Sequence, residues 1–186
     1  MRIVVSGTHA SGKSTLIADL ARRHPHFSVL PDPFEMLDDF WDTPGAGMFA
    51  AQLRIAADRL HADDLPADVI AERGPLDFLA YLQAVQELTG EPISADVRER
   101  SVALTADALR TVDLLVVLPL SERDPIPVGA DEDLALRGAM NDALLDLVDD
   151  GELVGAGTTV VEITGGRRER LSVLEELVRT LRTAPR

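Results

Sequence analysis

Eight residues near the start of the chain have the types and spacing needed to hold a row of phosphates. The segment Gly7-Thr8-His9-Ala10-Ser11-Gly12-Lys13-Ser14 fits the Walker A pattern G-x-x-x-x-G-K-[ST], the P-loop. Its glycines let backbone N–H groups converge on phosphate oxygens, and a helix N-terminus adds partial positive charge. In this motif the lysine reaches the β- and γ-phosphates and the serine hydroxyl ligates Mg²⁺. The predicted nucleotide contacts are Gly7, Ala10, Ser11, Gly12, Lys13, Ser14 and Thr15.

The position of the one lysine supports this interpretation. The 18 basic residues comprise 17 arginines and Lys13, which occupies the motif's lysine position. A chance match on a turn rich in glycine and serine is the alternative, and it would not explain that coincidence. His9 lies at a variable position of the motif, so we expect only its backbone to take part.

The motif requires a strand before it and a helix after it, and the apolar pattern predicts both. Five strands interleaved with helices predict a parallel sheet with helices on both faces, a three-layer α/β/α fold in one domain over residues 1–186. The predicted strands are 2–6, 27–30, 69–71, 113–118 and 158–163; the predicted helices are 13–23, 48–61, 75–88, 94–109, 132–148 and 167–181. We expect residues 31–47 to form a long loop or broken helix, and 149–151 to close the fifth helix.

Composition excludes several classes of function. The net charge of −14 disfavours nucleic acid and anionic membrane surfaces as partners, and the absence of cysteine excludes thiolate metal sites and cysteine nucleophiles. No apolar run is long enough to span a membrane. We therefore expect a cytoplasmic protein whose partner is a small-molecule substrate. A homodimer stays open.

A P-loop binds a nucleotide without determining what happens to it. GTPases of the Ras type need an Asn-Lys-x-Asp motif, which a chain with one lysine already in its P-loop cannot have. AAA+ machines need an acidic pair after a long apolar strand and a helical lid domain, and neither is found. Small-molecule kinases are left. They need a base near the acceptor hydroxyl, arginines that neutralise transferred charge, and a lid that excludes water.

The stretch from Asp32 to Arg73 resembles the deoxynucleoside kinase branch of the P-loop kinases. Asp32-Pro33 follows the second strand, where that family has Glu-Pro, and Glu72-Arg73-Gly74 is similar to its Glu-Arg-Ser motif. The resemblance implies that Asp32 is the general base and a substrate contact. It also implies that Arg73 contacts phosphates and substrate, and that Glu72 lies near Mg²⁺ with Ser14. Glu35 is the alternative base. Asp in place of Glu and Gly74 in place of Ser are departures from the family pattern.

Further residues follow from the same resemblance. Phe40-Trp41-Asp42-Thr43-Pro44 and Phe49-Ala50-Ala51-Gln52 resemble the family's substrate segment, which implies that Gln52 pairs with a nucleobase and Trp41 contacts the substrate. Trp41 is equally well explained by packing. Thr8-His9-Ala10-Ser11 and Arg73-Gly74-Pro75-Leu76-Asp77 also look like ribosylnicotinamide kinase-like proteins. The resemblance supports a kinase more strongly than it supports a nucleoside acceptor.

The rest of the site is expected at two later segments. A lid at about 119–137 would bring Arg123 or Arg137 to the γ-phosphate, with Arg137 slightly favoured because a helix holds a side chain more rigidly. The turn after the last strand would place Gly166 and Arg167 beside adenine. Arg59 and Asp77 are expected to be surface residues of their helices.

The sequence therefore predicts an ATP- and Mg²⁺-dependent kinase of P-loop kinase fold, whose acceptor is a nucleoside or a nucleoside-like alcohol. Two alternatives stay open. One is a P-loop ATPase that acts as a regulatory or partner-binding module, and the other is a kinase of a non-nucleoside metabolite or antibiotic.

Overall fold

A computed structural model describes residues 1–36, 45–121, 126–129 and 132–183, so Trp41 and Arg123 lie outside the described residues. The strands are β1 (Arg2–Ser6), β2 (Ser28–Leu30), β3 (Val69–Glu72), β4 (Leu114–Val117) and β5 (Thr159–Glu162). The helices are α1 (Lys13–Arg23), α2 (Ala46–His61), α3 (Pro75–Thr89), α4 (Ala95–Leu109), α5 (Leu134–Val148), α6 (Gly151–Val154) and α7 (Arg167–Thr183).

The five strands form one parallel sheet in the order β2-β3-β1-β4-β5. The prediction of a five-stranded parallel sheet in an α/β fold is confirmed. β1 is the central strand, with Val5 beside Glu72 of β3 and Ser6 beside Val117 of β4. The chain therefore leaves β1 at the middle of the sheet's carboxyl edge, where ligands bind in open α/β sheets.

Each face of the sheet has its own apolar core, because successive side chains of a strand point to opposite faces. Ile3 and Val5 of β1 pack with α1 and α7, whereas Val4 packs with α2 to α6. All three side chains are fully buried. The helices on both faces hold the central strand, and the loop that follows it, in a fixed position.

Two short helices were not predicted. Where we expected only a turn to close α5, Asp150 accepts hydrogen bonds from the N–H groups of Glu152 and Leu153 and begins α6. Burial of Leu153 and Val154 stabilises that turn of helix. Within the predicted loop after β2, Pro33–Met36 is a 3₁₀ helix, and the Asp32 side chain accepts from the N–H of Phe34 at its start.

Within the described ranges, no helix combines the length and apolar character needed to cross a bilayer.

Candidate active site

The P-loop runs from the end of β1 to the first turn of α1, as the motif requires. Gly12 has φ of +94° and Ala10 has φ of +48°, and these left-handed residues curl the loop into a concave cradle. The Lys13 ammonium is almost fully buried and donates to the carbonyl of Thr8 at 2.9 Å. Burial lowers the pKa of Lys13 to about 7, with the positive charge of Arg73 adding to the effect.

The two residues predicted to hold Mg²⁺ lie together. The Ser14 hydroxyl donates to Oε1 of Glu72 at 2.7 Å, because β3 ends beside β1 in the sheet. A hydroxyl and a carboxylate are oxygen ligands of the kind that Mg²⁺ prefers, and Mg²⁺ takes its other ligands from waters and phosphates. In the described part of the chain, no cluster of three acidic or histidine side chains surrounds one point.

Asp32 and Arg73 form an ion pair at the mouth of the P-loop. Nε of Arg73 donates to Oδ2 of Asp32 at 2.7 Å, and Nη1 donates to the carbonyl of Gly7 at 2.9 Å. Burial opposes the charged form of Arg73, but Tyr81, Asp32 and Asp77 outweigh it and raise the pKa of the guanidinium. Arg73 has φ of +60°, a backbone conformation that is strained for a side-chain-bearing residue and is found most often at functional sites.

The expectation that Asp77 is a surface residue is wrong. Its side chain is fully buried and accepts from the Ser6 hydroxyl at 2.6 Å and from the N–H groups of Gly7 and Gly74, both at 2.9 Å. Burial raises the pKa of Asp77, while Arg73 and these hydrogen bonds oppose the rise. Asp77 is the third residue of α3, where a carboxylate reaches back to the helix's first N–H groups, so capping rules could have identified it.

Gly74 explains one departure from the deoxynucleoside kinase pattern. A Cβ at this position would lie 2.9 Å from Cγ1 of Val4, closer than side-chain carbons approach. The start of α3 packs directly on the central strand, and this brings Asp77 within reach of the P-loop.

His9 contributes more than its backbone, contrary to expectation. Its Nδ1 lies 2.5 Å from the hydroxyl of Tyr81, and its ring packs against Phe34 and Tyr81. Tyr81 in turn stacks on Phe49, with ring centroids 4.6 Å apart and planes 6° from parallel. Burial, with help from Arg73 and Lys13, lowers the pKa of His9 to about 4, so the imidazole is neutral at pH 7. These rings, which we call the aromatic wall (His9, Phe34, Phe49 and Tyr81), join the P-loop to α2 and α3.

Gln52 lies one helical turn after Phe49 on α2. Its side chain is fully buried, and among the described residues neither its amide nitrogen nor its amide oxygen has a hydrogen-bond partner. Buried amides are almost always paired, so the donor and acceptor of Gln52 are left for a partner that the described residues do not supply. Arg59, seven residues later, is half-buried rather than on the surface; burial lowers the pKa of Arg59, and Asp32 counteracts this.

A cavity of about 230 Å³ opens on the other side of the P-loop. Its lining includes Gly12 and Thr15 from the P-loop side and Arg167 from α7, so three predicted nucleotide contacts share one space. Asp19 of α1 holds Arg167 with two hydrogen bonds, at 2.6 and 2.7 Å, and these bonds lower the pKa of Asp19 to about 2. The N–H of Gly166 donates to Glu169 at 2.9 Å.

The carbonyl groups of the P-loop share an unusual environment. Five consecutive carbonyl oxygens, from residue 7 to residue 11, each accept a hydrogen bond from a basic side chain. The pairs are Gly7 with Arg73, Thr8 with Lys13, His9 and Ala10 with Arg137, and Ser11 with Arg170. Because C=O and N–H point in opposite directions across a trans peptide bond, these contacts fix the orientation of the peptide units that follow residues 7 to 11.

Arg137 therefore lies at the P-loop itself. Nε donates to the carbonyl of His9 at 2.9 Å, and Nη2 approaches that of Ala10 at 3.4 Å. We expected Arg137 to be held away from the phosphates until a lid closes, whereas its helix α5 places it against the cradle. Arg170, which sequence reasoning missed, occupies the corresponding place on α7.

A family model described as an AAA domain matches residues 2–170. A sequence search of the curated proteins finds no match. We had set aside AAA+ machines because the chain lacks an acidic pair after a buried strand and a lid domain. The match concerns the P-loop domain, and β4 is followed by Leu118 and Pro119 rather than by acidic residues.

Solved structures with this fold are similar over nearly the whole chain. A deoxyadenosine kinase from M. mycoides, bound to dCMP and dCDP, aligns at a TM-score of 0.69 and 12% identity, covering 97% of this chain and 100% of that one. A thymidylate kinase from Candida albicans aligns at 0.67 and 16% identity, covering 97% and 92%. The YorR protein from Bacillus subtilis aligns at 0.55 and 17% identity, covering 100% of both. The chain therefore belongs to this AAA-domain family, and its fold is that of the P-loop nucleoside kinases.

Proposed function

We propose that this protein transfers the γ-phosphoryl group of ATP to a hydroxyl of a small molecule, and that the acceptor is a nucleoside or a nucleoside-like alcohol. The observation that carries the proposal is the buried, unpartnered amide of Gln52. An amide offers one donor face and one acceptor face, which is what the edge of a nucleobase requires.

The donor side follows from the P-loop. The N–H groups of the P-loop and Lys13 would bind the phosphates, and Ser14 and Glu72 would hold Mg²⁺. When bound, Mg²⁺ neutralises the charge that develops on the β- and γ-phosphate oxygens. The cavity beside Thr15 and Arg167 would accept the adenine and ribose of ATP.

The acceptor side follows from Asp32 and the aromatic wall. Asp32 is fixed by Arg73 and by the N–H of Phe34, so its carboxylate is oriented to accept the proton of the acceptor hydroxyl. As the acceptor oxygen bonds to the γ-phosphorus, the bond from that phosphorus to the β,γ-bridging oxygen breaks. Lys13 and Arg137 stabilise the charge that spreads over the transferring group.

The test is phosphoryl transfer from ATP in the presence of Mg²⁺ over a panel of nucleosides and amino alcohols, measured by mass detection of the phosphorylated product. We expect a nucleoside product, and we expect Asp32→Asn to lose about 10²- to 10⁴-fold in kcat with little change in ATP affinity. Asp146→Asn, an exposed acid on α5, is the charge-matched control. ATP hydrolysis that no acceptor accelerates would favour the ATPase module instead.

A further inference from the structure

We infer that Arg170 is a positioning residue that fixes the two halves of the donor nucleotide site relative to each other. The inference rests on the proposed function, since it concerns how the P-loop and the cavity beside it hold ATP. It goes beyond that function because no motif and no family resemblance points to Arg170.

Arg170 bridges two loops that are far apart in sequence. Its Nη1 donates to the carbonyl of Ser11 in the P-loop at 2.6 Å, and its Nε donates to the carbonyl of Gly165 in the turn after β5, also at 2.6 Å. The side chain is 95% buried, with a relative exposure of 5%. Both contacts are charge-assisted hydrogen bonds made in a desolvated place, where such bonds are strong.

The contact with Ser11 determines the orientation of one peptide unit of the cradle. The carbonyl of Ser11 points at Arg170, so the N–H of Gly12 points the opposite way, where it would donate to a bound phosphate. Gly12 leaves just enough room for this arrangement. A Cβ at Gly12 would lie 2.9 Å from Nη1 of Arg170 and 3.1 Å from Cδ1 of Ile126.

The contact with Gly165 fixes the other half of the site. Arg170 lines the cavity of about 230 Å³ together with Arg167, and Gly165 belongs to the turn that leads into α7. One rigid, planar guanidinium thus joins the phosphate cradle to the turn beside the cavity. A lysine at this position could donate from a single point but could not span both carbonyls in the fixed geometry of the guanidinium.

The phosphates of the donor nucleotide and its adenosine part therefore occupy two different parts of the site, the cradle and the cavity. Inorganic tripolyphosphate can occupy the cradle alone, whereas ATP also needs the cavity. If Arg170 fixes both halves, its loss weakens the binding of both ligands, and the weakening is greater for ATP because two parts of the site are misplaced.

The experiment measures equilibrium binding of Mg-ATP and of Mg-tripolyphosphate by calorimetry. It compares the wild type with Arg170→Met, Arg170→Lys and the control Arg168→Met, which removes the same charge from an exposed residue of α7. We expect Arg170→Met to weaken ATP binding by about tenfold or more, which corresponds to about 1.4 kcal/mol. We expect a smaller loss for tripolyphosphate, an intermediate ATP affinity for Arg170→Lys, and a change within about twofold for Arg168→Met, whose charge is screened by solvent.

Several outcomes would overturn the inference. Wild-type ATP affinity in Arg170→Met would do so, as would equal losses of ATP affinity in Arg170→Met and Arg168→Met. If Arg170→Met does not fold, Arg170→Lys decides, because wild-type ATP affinity in a folded Lys variant would show that the bridge is not needed. Failure of the proposed function is seen in a different assay, since no acceptor would then be phosphorylated even though the wild type binds Mg-ATP.

Discussion

At the scale of single residues, the site contains charged and polar groups whose burial disfavours the charged or hydrogen-bonded form that they have in water. Lys13 is the clearest case, because burial lowers the pKa of its ammonium to about 7. A bound triphosphate brings negative charge to this ammonium and raises its pKa again. Nucleotide binding and proton binding at Lys13 are therefore linked.

This linkage predicts proton uptake. At pH 8, above the pKa of free Lys13, most molecules hold a neutral amine, and binding of Mg-ATP should take up a large part of one proton per site. Calorimetry in two buffers of different ionisation enthalpy measures this number. Lys13→Met should bind far more weakly and take up no proton. The ATP affinity of the wild type should fall as the pH rises above 7. Affinity that is independent of pH between 7 and 9 would contradict the assignment.

We predict that replacing Gln52 makes the fold more stable and the enzyme less effective. Its buried amide has no partner among the described residues, so Gln52→Leu removes a desolvated polar group and should raise the free energy of unfolding by about 1–3 kcal/mol. The same change removes the proposed nucleobase contact, so KM for the acceptor should rise while ATP affinity stays the same. Urea unfolding and steady-state kinetics measure the two effects. Gln83→Leu, at an exposed position of α3 outside the site, is the control. A Gln52→Leu protein that is less stable would show that the amide has a role in the fold itself.

At the scale of secondary structure, three segments that are distant in sequence each bring an arginine to the P-loop. Arg73 comes just before α3, Arg137 from α5 and Arg170 from α7. The cradle is therefore supported from several sides, and the loop's shape depends on where those helices pack.

For α5 we predict an effect on turnover. Arg137 contacts the carbonyls of His9 and Ala10, and we expect it to move from them to a transferring phosphoryl group during turnover. Arg137→Ala should lower kcat more than it raises KM for ATP, because the new contact forms mainly in the transition state. Steady-state kinetics over both substrates provides the measurement. The exposed Arg179→Ala on α7 should match the wild type. An unchanged kcat in Arg137→Ala would show that this arginine supports the loop but does not contact the transferring group.

Local patterns were sufficient to predict the strands and most helices. The bounds of α1 agree with the prediction, because the motif defines its start and the apolar spacing defines its end. The pairing of Ser14 with Glu72 could be anticipated for a similar reason, since parallel neighbouring strands bring their carboxyl ends to one edge. The short helix α6 could not, because its stability depends on burial of Leu153 and Val154 by distant helices.

The missed site residues share one cause. His9, Asp77 and Arg170 act through contacts made across the fold, with Tyr81, Ser6 and Ser11 respectively. Nothing within a few residues of each one indicates its partner. Asp77 is a partial exception, because its place in the first turn of α3 predicts a cap, although not the contact with the P-loop.

At the scale of the whole molecule, the stability of the fold should depend on pH through His9. Burial, together with Arg73 and Lys13, lowers the pKa of His9 to about 4, whereas an unfolded chain has the ordinary value of 6.5. Between pH 6.5 and pH 4 the unfolded state therefore binds a proton that the folded state does not. The free energy of unfolding should fall as the pH falls through this range, and the loss should be absent above it.

Urea unfolding at pH 7 and at pH 5 tests this. The drop in stability between the two pH values should be smaller in His9→Gln than in the wild type. Tyr81→Phe removes the hydrogen bond but keeps the burial and the neighbouring charges, so it should retain the wild-type drop. An equal drop in His9→Gln and the wild type would assign the acid sensitivity to other groups.

The single lysine has a consequence for covalent labelling. Lys13 is the sole side-chain amine of the chain, and with a pKa near 7 it is a nucleophile at a pH where ordinary lysines are protonated. A nucleotide that carries an aldehyde or an acyl phosphate would deliver its electrophile to this one nitrogen. The mass of the intact labelled chain, compared with that of Lys13→Met to subtract label on the N-terminal amine, would then count occupied P-loops without a background from other lysines.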